Sequence, residues 1–363
     1  MRRRFDSLLS LNFGIPDVNA RLKKIAQYLI SLVLMFFFLY WAFREVDPAV
    51  LWGTIVELPL FWVAAIVLTT LCTMVLRSWR WVVLMRPFAP QVTVRDASLA
   101  LAICYSANVA IPRSGEALRA ISLKWTRGTS ISSVLATVVV ERILDLIWLS
   151  LFLGVSLLLL RERINQAFPL LEPLGIIALI GSLLGLVFLA FISFYRERAL
   201  FVIERLLSKV SPRFAGKIID LLGTFLNGLQ ALHSPAAYLE IVASSLLLNL
   251  GYTAIIYEAF IGFNFTHTFN LGLEAALVIM TISSIGVIFP TPGSAGTYHA
   301  FFGQALVHLY AVNTNAAMAC ATAVHAIATL TYLSLGGPAL FWQWRRARRD
   351  SEIREPAPGS SGN

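Results

Sequence analysis

In "VVVERILDLIWL", Glu141, Arg142 and Asp145 sit inside an otherwise apolar run. On a helix Glu141 and Asp145 are four residues apart and share a face, and Arg142, three before Asp145, can pair with it. Charges at the centre of a membrane helix cost about 2.5–3.5 kcal/mol each on insertion scales, so three so close together demand partners. A second charged stretch lies upstream in "NVAIPRSGEALRA", where Arg113, Glu116 and Arg119 are the nearest candidates. Together these six side chains sum to zero, so they can form a closed ionic network. A ligand site explains them equally well, because arginine beside a helix N-terminus suits phosphate oxygens. The same carboxylates could instead sit near a membrane interface, with Arg142 reaching to water.

A third stretch, "FPTPGSAGTYHA", has no charge but carries Pro290, Pro292, Gly293, Gly296, Tyr298 and His299. Proline lacks an N–H and glycine tolerates unusual backbone angles, so both this stretch and "IPRSG" should break a helix. Broken backbone inside a bilayer is tolerated only within protein or beside a wet cavity. A helix starting near Glu116, and another near Thr297, would aim N–H groups at each turn. A plain kink or loop in a helix bundle is the alternative. His299 could donate to a ligand, but packing is the default role of His299, His308, His325 and Tyr298. No two of these histidines have the spacing of a helical metal site. Walker, Rossmann, nucleophile-elbow and zincin patterns are absent, so no catalytic residue, metal or cofactor is expected.

These residues belong to a chain of 363 residues that is 58% hydrophobic and 13% charged. Soluble domains are nearer 45–50% apolar and about 25% charged. A bilayer crossing takes about 20 apolar residues. Full-length spans are expected at Ile25–Phe43, Leu58–Leu76, Thr129–Leu160, Leu174–Phe194, Tyr238–Ile261 and Ala317–Trp344. The fold class is therefore an all-α polytopic membrane protein with about six full spans. Alternating strands of barrel length are not seen. The formal charge of +9 does not point to nucleic acid, because the basic residues bracket apolar segments as lipid-facing anchors do. Cys72, Cys104 and Cys320 lie in apolar segments and should pack as small hydrophobes. No cleavable signal is expected, since the first apolar run is of full length.

Three further apolar pieces, Ala97–Ile111, Leu273–Phe289 and Thr297–Val312, are too short to cross upright. If Ala97–Ile111 crossed, Arg113, Arg119, Lys124 and Arg127 would land outside, against the positive-inside rule. A re-entrant hairpin that turns at "IPRSG" keeps them on the side of Arg77, Arg80, Arg86 and Arg95. The second hairpin would turn at "FPTPGSAG" and enter from the opposite face. Residues 58–160 and 238–344 then form an inverted repeat within a transmembrane domain at 25–344, the pattern of many secondary transporters. The basic segment 1–24 and the tail 345–363 are expected in the cytoplasm, the tail disordered, and 196–232 to lie amphipathic on the cytoplasmic surface.

"RSGEALRA", "ERILDLIWL" and "PTPGSAGTYHA", in this order, resemble the lysylphosphatidylglycerol synthase transmembrane-region family, also called flippase-like, which includes the membrane half of multiple peptide resistance factor. The resemblance spans about residues 20–345. By motif it carries a substrate-binding role onto Arg113, Gly115, Glu116 and Arg119, onto Glu141, Arg142 and Asp145, and onto Pro290, Pro292, Gly293, Gly296, Tyr298 and His299. Ser294 stands where the family often has a second glycine, and His299 where it often has an acid. The resemblance implies an integral protein of the cytoplasmic membrane that moves a phospholipid or lipid-linked head group through a polar groove between the hairpins. Only a short tail follows Trp344, so aminoacyl transfer is not expected of this chain. A homo-oligomer, or a separately encoded lipid-modifying enzyme, would be a fitting partner. A membrane enzyme or accessory subunit of lipid-linked sugar or phospholipid metabolism, and a small-solute secondary transporter, are the alternatives.

Overall fold

A computed structural model describes residues 18–208, 212–227 and 235–354. The segments expected at 1–24 and 345–363 lie in part outside them. The described residues form helices and turns without a strand. Helix α1 is Val18–Phe43, α2 Pro48–Val56, α3 Leu60–Met85, α4 Val94–Ala110, α5 Ser114–Arg127, α6 Ile131–Ala167 and α7 Leu171–Phe194. Then follow α8 Arg196–Ser208, α9 Pro212–Asn227, α10 Pro235–Gly262, α11 Phe265–Thr268, α12 Leu273–Ile288, α13 Thr297–Tyr310 and α14 Thr314–Arg354.

Six helices among the described residues are long and apolar enough to cross a membrane, within Ile25–Phe43, Leu60–Met85, Ile131–Ala167, Leu171–Ile192, Ala236–Gly262 and Thr314–Arg345. Their exposed faces are apolar, as lipid-facing surfaces require. On α7, Leu174, Ile177, Leu184, Phe188 and Phe191 all point outward. The amphipathic segment divides into α8 and α9, which pack on each other, with α9 also against α6.

Local sequence explains the breaks. Thr93 and Asp96 close a capping box that starts α4. Gly128, at φ 70°, ends α5, and Ser130 caps α6. Helices α4, α5, α12 and α13 have 17, 14, 16 and 14 residues. At 1.5 Å per residue each is about 21–26 Å long, short of a hydrocarbon core of about 30 Å.

The second half repeats the neighbour relations of the first. Pairing α3 with α10, α4 with α12, α5 with α13 and α6 with α14 maps most contacts onto contacts, the α3–α14 packing excepted, since α10 and α6 do not pack likewise. The α3–α4, α4–α5 and α5–α6 packings match α10–α12, α12–α13 and α13–α14. Across the halves, α4–α14 matches α12–α6, α5–α14 matches α13–α6, and α3–α6 matches α10–α14. The α3–α10 packing maps onto itself, and glycines make it close: a side chain at Gly251 would run into Thr73, and one at Gly262 into Leu58 and Trp62. The main apolar core joins α6, α10, α12, α13 and α14 through Phe152, Phe260, Ile279, Phe302, Leu306 and Val324.

Candidate functional site

Helices α3, α5 and α6 bring seven charged side chains together. Arg77 and Arg80, three apart on α3, point the same way. Arg77 Nη2 donates to Asp145 Oδ2 at 2.7 Å and Arg80 Nη2 to Asp145 Oδ1 at 2.5 Å, so two guanidiniums clamp one carboxylate. Glu141, one turn earlier on α6, is wholly buried among three cations. Arg119 Nη1 lies 2.8 Å from Glu141 Oε2, while Arg77 Nε and Arg80 Nη2 lie 3.5 and 3.6 Å from Oε1. Arg142 Nη2 donates to Glu116 Oε1 at 2.8 Å, and Arg142 Nη1 lies 3.6 Å from Asp145.

Neutral groups fix the arginines. The Arg119 guanidinium lies 4.6 Å over the Trp81 ring, and Trp81 Nε1 donates to Thr137 Oγ1 at 2.9 Å. From α10, Ser245 Oγ accepts from Arg80 at 3.1 Å and the Tyr252 hydroxyl accepts from Arg77 at 3.4 Å. Arg80, Arg119 and Glu141 have no exposed side-chain surface, whereas Asp145 is 28% and Arg142 49% exposed. The cluster has a closed floor and one open edge. By residue count Glu141 lies about 15 Å, and Asp145 about 21 Å, along α6 from its start.

At the first tip, Arg113 is exposed, adopts a left-handed φ of 62°, and donates from Nη2 to the Ile288 carbonyl at 3.4 Å. It is not part of the ionic cluster. Gly115 is required where it stands, because a Cβ there would strike the Cys104 carbonyl across the hairpin. Asn108 Oδ1 accepts from the Gly115 N–H at 2.8 Å, and Ser114 Oγ donates to the Ile111 carbonyl at 2.8 Å.

The second tip has other chemistry. Pro292–Ser294 makes a single 3₁₀ turn after Pro290, with Gly293 at φ 56° and Gly296 at φ 81°. A side chain on Gly296 would meet the backbone of Met35 and Leu39 on α1. His325 Nε2 donates to the Gly293 carbonyl at 2.8 Å, and Tyr298 stacks on the His325 ring at 5.2 Å. His299 is buried, 4.9 Å from His325 and 5.6 Å from Phe43, and its Nδ1 has no partner. The two tips touch: the Gly293 position lies against Val109, and the 3₁₀ turn packs on α4. At its other end α4 is tied down by Asp96, whose carboxyl is held below its ordinary range. Partial burial opposes that shift, but hydrogen bonds from Arg127 and Thr93 outweigh it.

Of the residues singled out in the sequence, Glu116, Arg119, Glu141, Arg142 and Asp145 therefore converge. Arg113 and Gly115 shape the first tip, and Pro290, Pro292, Gly293, Gly296, Tyr298 and His299 form a separate, uncharged second tip. Arg77 and Arg80 escape a reading based on apolar runs, which ends the second span at Leu76 and counts both as interfacial anchors. The signal was their spacing of three, followed by a second apolar run, "WVVLM", that carries the helix on to Met85.

The fold and this buried cluster define a multi-pass α-helical membrane protein with an ionic centre among its helices. The chain belongs to the family described as lysylphosphatidylglycerol synthase TM region, whose model matches residues 26–336. It is a membrane domain of a family linked to lipid handling. No curated protein and no solved structure matches the chain.

Proposed function

We propose that the protein is a flippase-like lipid translocator of the cytoplasmic membrane. The observation that carries this reading is the ionic cluster of α3, α5 and α6, buried deep along its helices yet open at Arg142 and Asp145. Intramembrane charges held by one another and reachable from one side suit a polar head group whose acyl chains stay in lipid. Arg119, Arg142 or Arg113 would meet the phosphate, with Glu116 and Asp145 holding the arginines or an amino head group. The uncharged second tip would close the path against the first.

On this reading α4–α5 and α12–α13 are re-entrant hairpins entering from opposite faces, with both termini in the cytoplasm. Their sub-membrane lengths and the exchange of neighbours between halves support it. A second copy, or a separate lipid-modifying enzyme, would be the protein partner.

The test is lipid sidedness in liposomes holding the purified chain and labelled anionic, zwitterionic and aminoacylated lipids. Wild type should move at least one class, and Arg142→Ala, a change at an exposed side chain, should slow it about tenfold or more. If no lipid crosses, with or without an ion gradient, the reading fails and an enzyme or accessory role takes its place.

A further inference from the structure

Four guanidiniums, of Arg77, Arg80, Arg119 and Arg142, meet only three carboxylates, of Glu116, Glu141 and Asp145. With all seven ionised, the cluster carries one surplus positive charge. Nearby pairs do not supply the missing anion. Arg86 is neutralised by Glu240 and Arg127 by Asp96, each in its own bridge. Tyr252 and Ser245 touch the cluster only through neutral hydroxyls. The surplus lies where charge is least tolerated, since three of the seven side chains are completely buried.

Donors are also left over. Five buried guanidinium nitrogens, Nε, Nη1 and Nη2 of Arg119 and the Nε atoms of Arg77 and Arg80, have no hydrogen bond, against three carboxylate oxygens, both of Glu141 and Oε2 of Glu116. Ion-pair contacts to Glu141 account for Arg119 Nη1 and Arg77 Nε, which leaves Arg119 Nε and Nη2 and Arg80 Nε over. A buried guanidinium edge with vacant N–H groups normally has an acceptor. The acceptor that best fits the guanidinium fork is a carboxylate or a phosphate. Among membrane components, the anion presented at the edge of an apolar layer is the phosphodiester of a lipid.

We infer that the cluster of Arg77, Arg80, Arg119 and Arg142 with Glu116, Glu141 and Asp145 is a binding site one anion short, and that its ligand is a phosphodiester of one net negative charge. The inference rests on the translocator reading for what happens after binding, and goes beyond it in fixing the charge class of the substrate. Glu116 is the internal stand-in: it occupies Arg142 until the phosphodiester competes for that side chain. A net-neutral zwitterion offers the same diester but brings a cation of its own to the surplus, and a dianion overshoots it.

The experiment is calorimetric titration of the full chain in neutral detergent at pH 8. The probes are dihexanoyl phosphatidylglycerol, dihexanoyl phosphatidylcholine, dihexanoyl phosphatidic acid and dimethyl phosphate. The first should bind wild type about tenfold more tightly than the other two lipids. Glu116→Gln raises the surplus to two and should turn the preference toward phosphatidic acid. Arg142→Gln removes the surplus and should bring phosphatidylglycerol and phosphatidylcholine within about threefold of each other. Both changes are at the open edge, and a melting curve beside each titration confirms the fold. Binding of dimethyl phosphate in the same charge order would assign recognition to the free diester; binding of the lipid alone would assign it to the lipid. Equal binding of phosphatidylglycerol and phosphatidylcholine by wild type, no binding of any probe, or one order unchanged in all three proteins would overturn the inference. Sidedness assays on the same preparations separate the two ideas. Charge-ordered binding without transbilayer movement leaves this site and removes translocation; movement blind to net charge does the reverse.

Discussion

At the first tip, Gly115 lies against the Cys104 carbonyl, and its helix, α5, delivers Glu116 and Arg119 into a nest of arginines. At the second, Gly286 lies against the Thr297 carbonyl, and the α13 that follows it delivers Tyr298 and His299 into a nest of rings. Both helix pairs use a glycine to bring two short arms together, and both rest on the last long helix of the opposite half. The frame is shared and the contents are not. A repeated frame needs its glycines, turns and apolar faces in both copies, but a charged centre is needed only once. This frame has one ionic centre and one uncharged counterpart.

The largest expected effect comes from opening the ionic centre. Glu141→Ala leaves Arg119 without its 2.8 Å partner and removes the shared anion from Arg77 and Arg80, all inside a dry floor. Removing one side of a buried pair costs about 3–5 kcal/mol. The variant should lose most of its folded yield, read by size-exclusion of a fluorescent fusion and by its melting curve. A melt near that of wild type would mean that the floor is wet and that the contrast between the tips is overdrawn.

How much of this was legible in the sequence depends on the kind of signal. The two tips were readable because proline and glycine leave few backbone choices, and α5 and α13 start within two residues of where those breaks place them. Glu116, Arg119, Glu141, Arg142 and Asp145 were readable because charge in an apolar run is conspicuous. Arg77 and Arg80 were hidden by the same logic: a window scoring hydropathy stops at the first arginine, although α3 runs nine residues past Leu76 to Met85. The six charges that were noticed sum to zero and looked complete, which concealed the surplus. Nor could the sequence place Arg113, whose side chain turns to the Ile288 carbonyl of the other tip. The pairing of α3 with α10 left no trace in periodicity, because both helices are apolar on most faces and only the glycines at Gly251 and Gly262 record the close side.

The next effect tests whether the frame is shared. Gly115→Ala and Gly286→Ala each place a methyl group against a backbone carbonyl of the facing arm, where no rotamer change can help. Overpacking of this kind costs about 1–3 kcal/mol. Gly115→Ala should be the worse of the two, because the Cys104 oxygen stands closer to the added carbon than the Thr297 oxygen does. Melting temperatures of both variants, with Gly337→Ala as a control at a position with open space, would show it. Should either glycine tolerate alanine as well as Gly337 does, the arms of that pair are not held by close approach and the correspondence fails there.

The smallest effect lies within the second tip and sharpens what uncharged means. His325 spends its Nε2–H on the Gly293 carbonyl, where the chain is in the left-handed turn that closes the tip. His325→Phe keeps a ring against Tyr298 and deletes that bond, which should cost about 0.5–1.5 kcal/mol. His299 lies 4.9 Å away but already has an unpartnered Nδ1 among aromatic neighbours. His299→Phe removes a buried polar atom and loses no bond found here, so stability should stay within about 0.5 kcal/mol of wild type or rise. The pair is informative because the substitution is identical and the neighbourhood is shared. If both histidines cost the same, His299 has an occupant in the membrane that satisfies Nδ1, and the second tip is a polar site in its own right. A cost at His325 alone makes that imidazole a strut for the Gly293 turn and leaves the charged chemistry to the arginines of the first half.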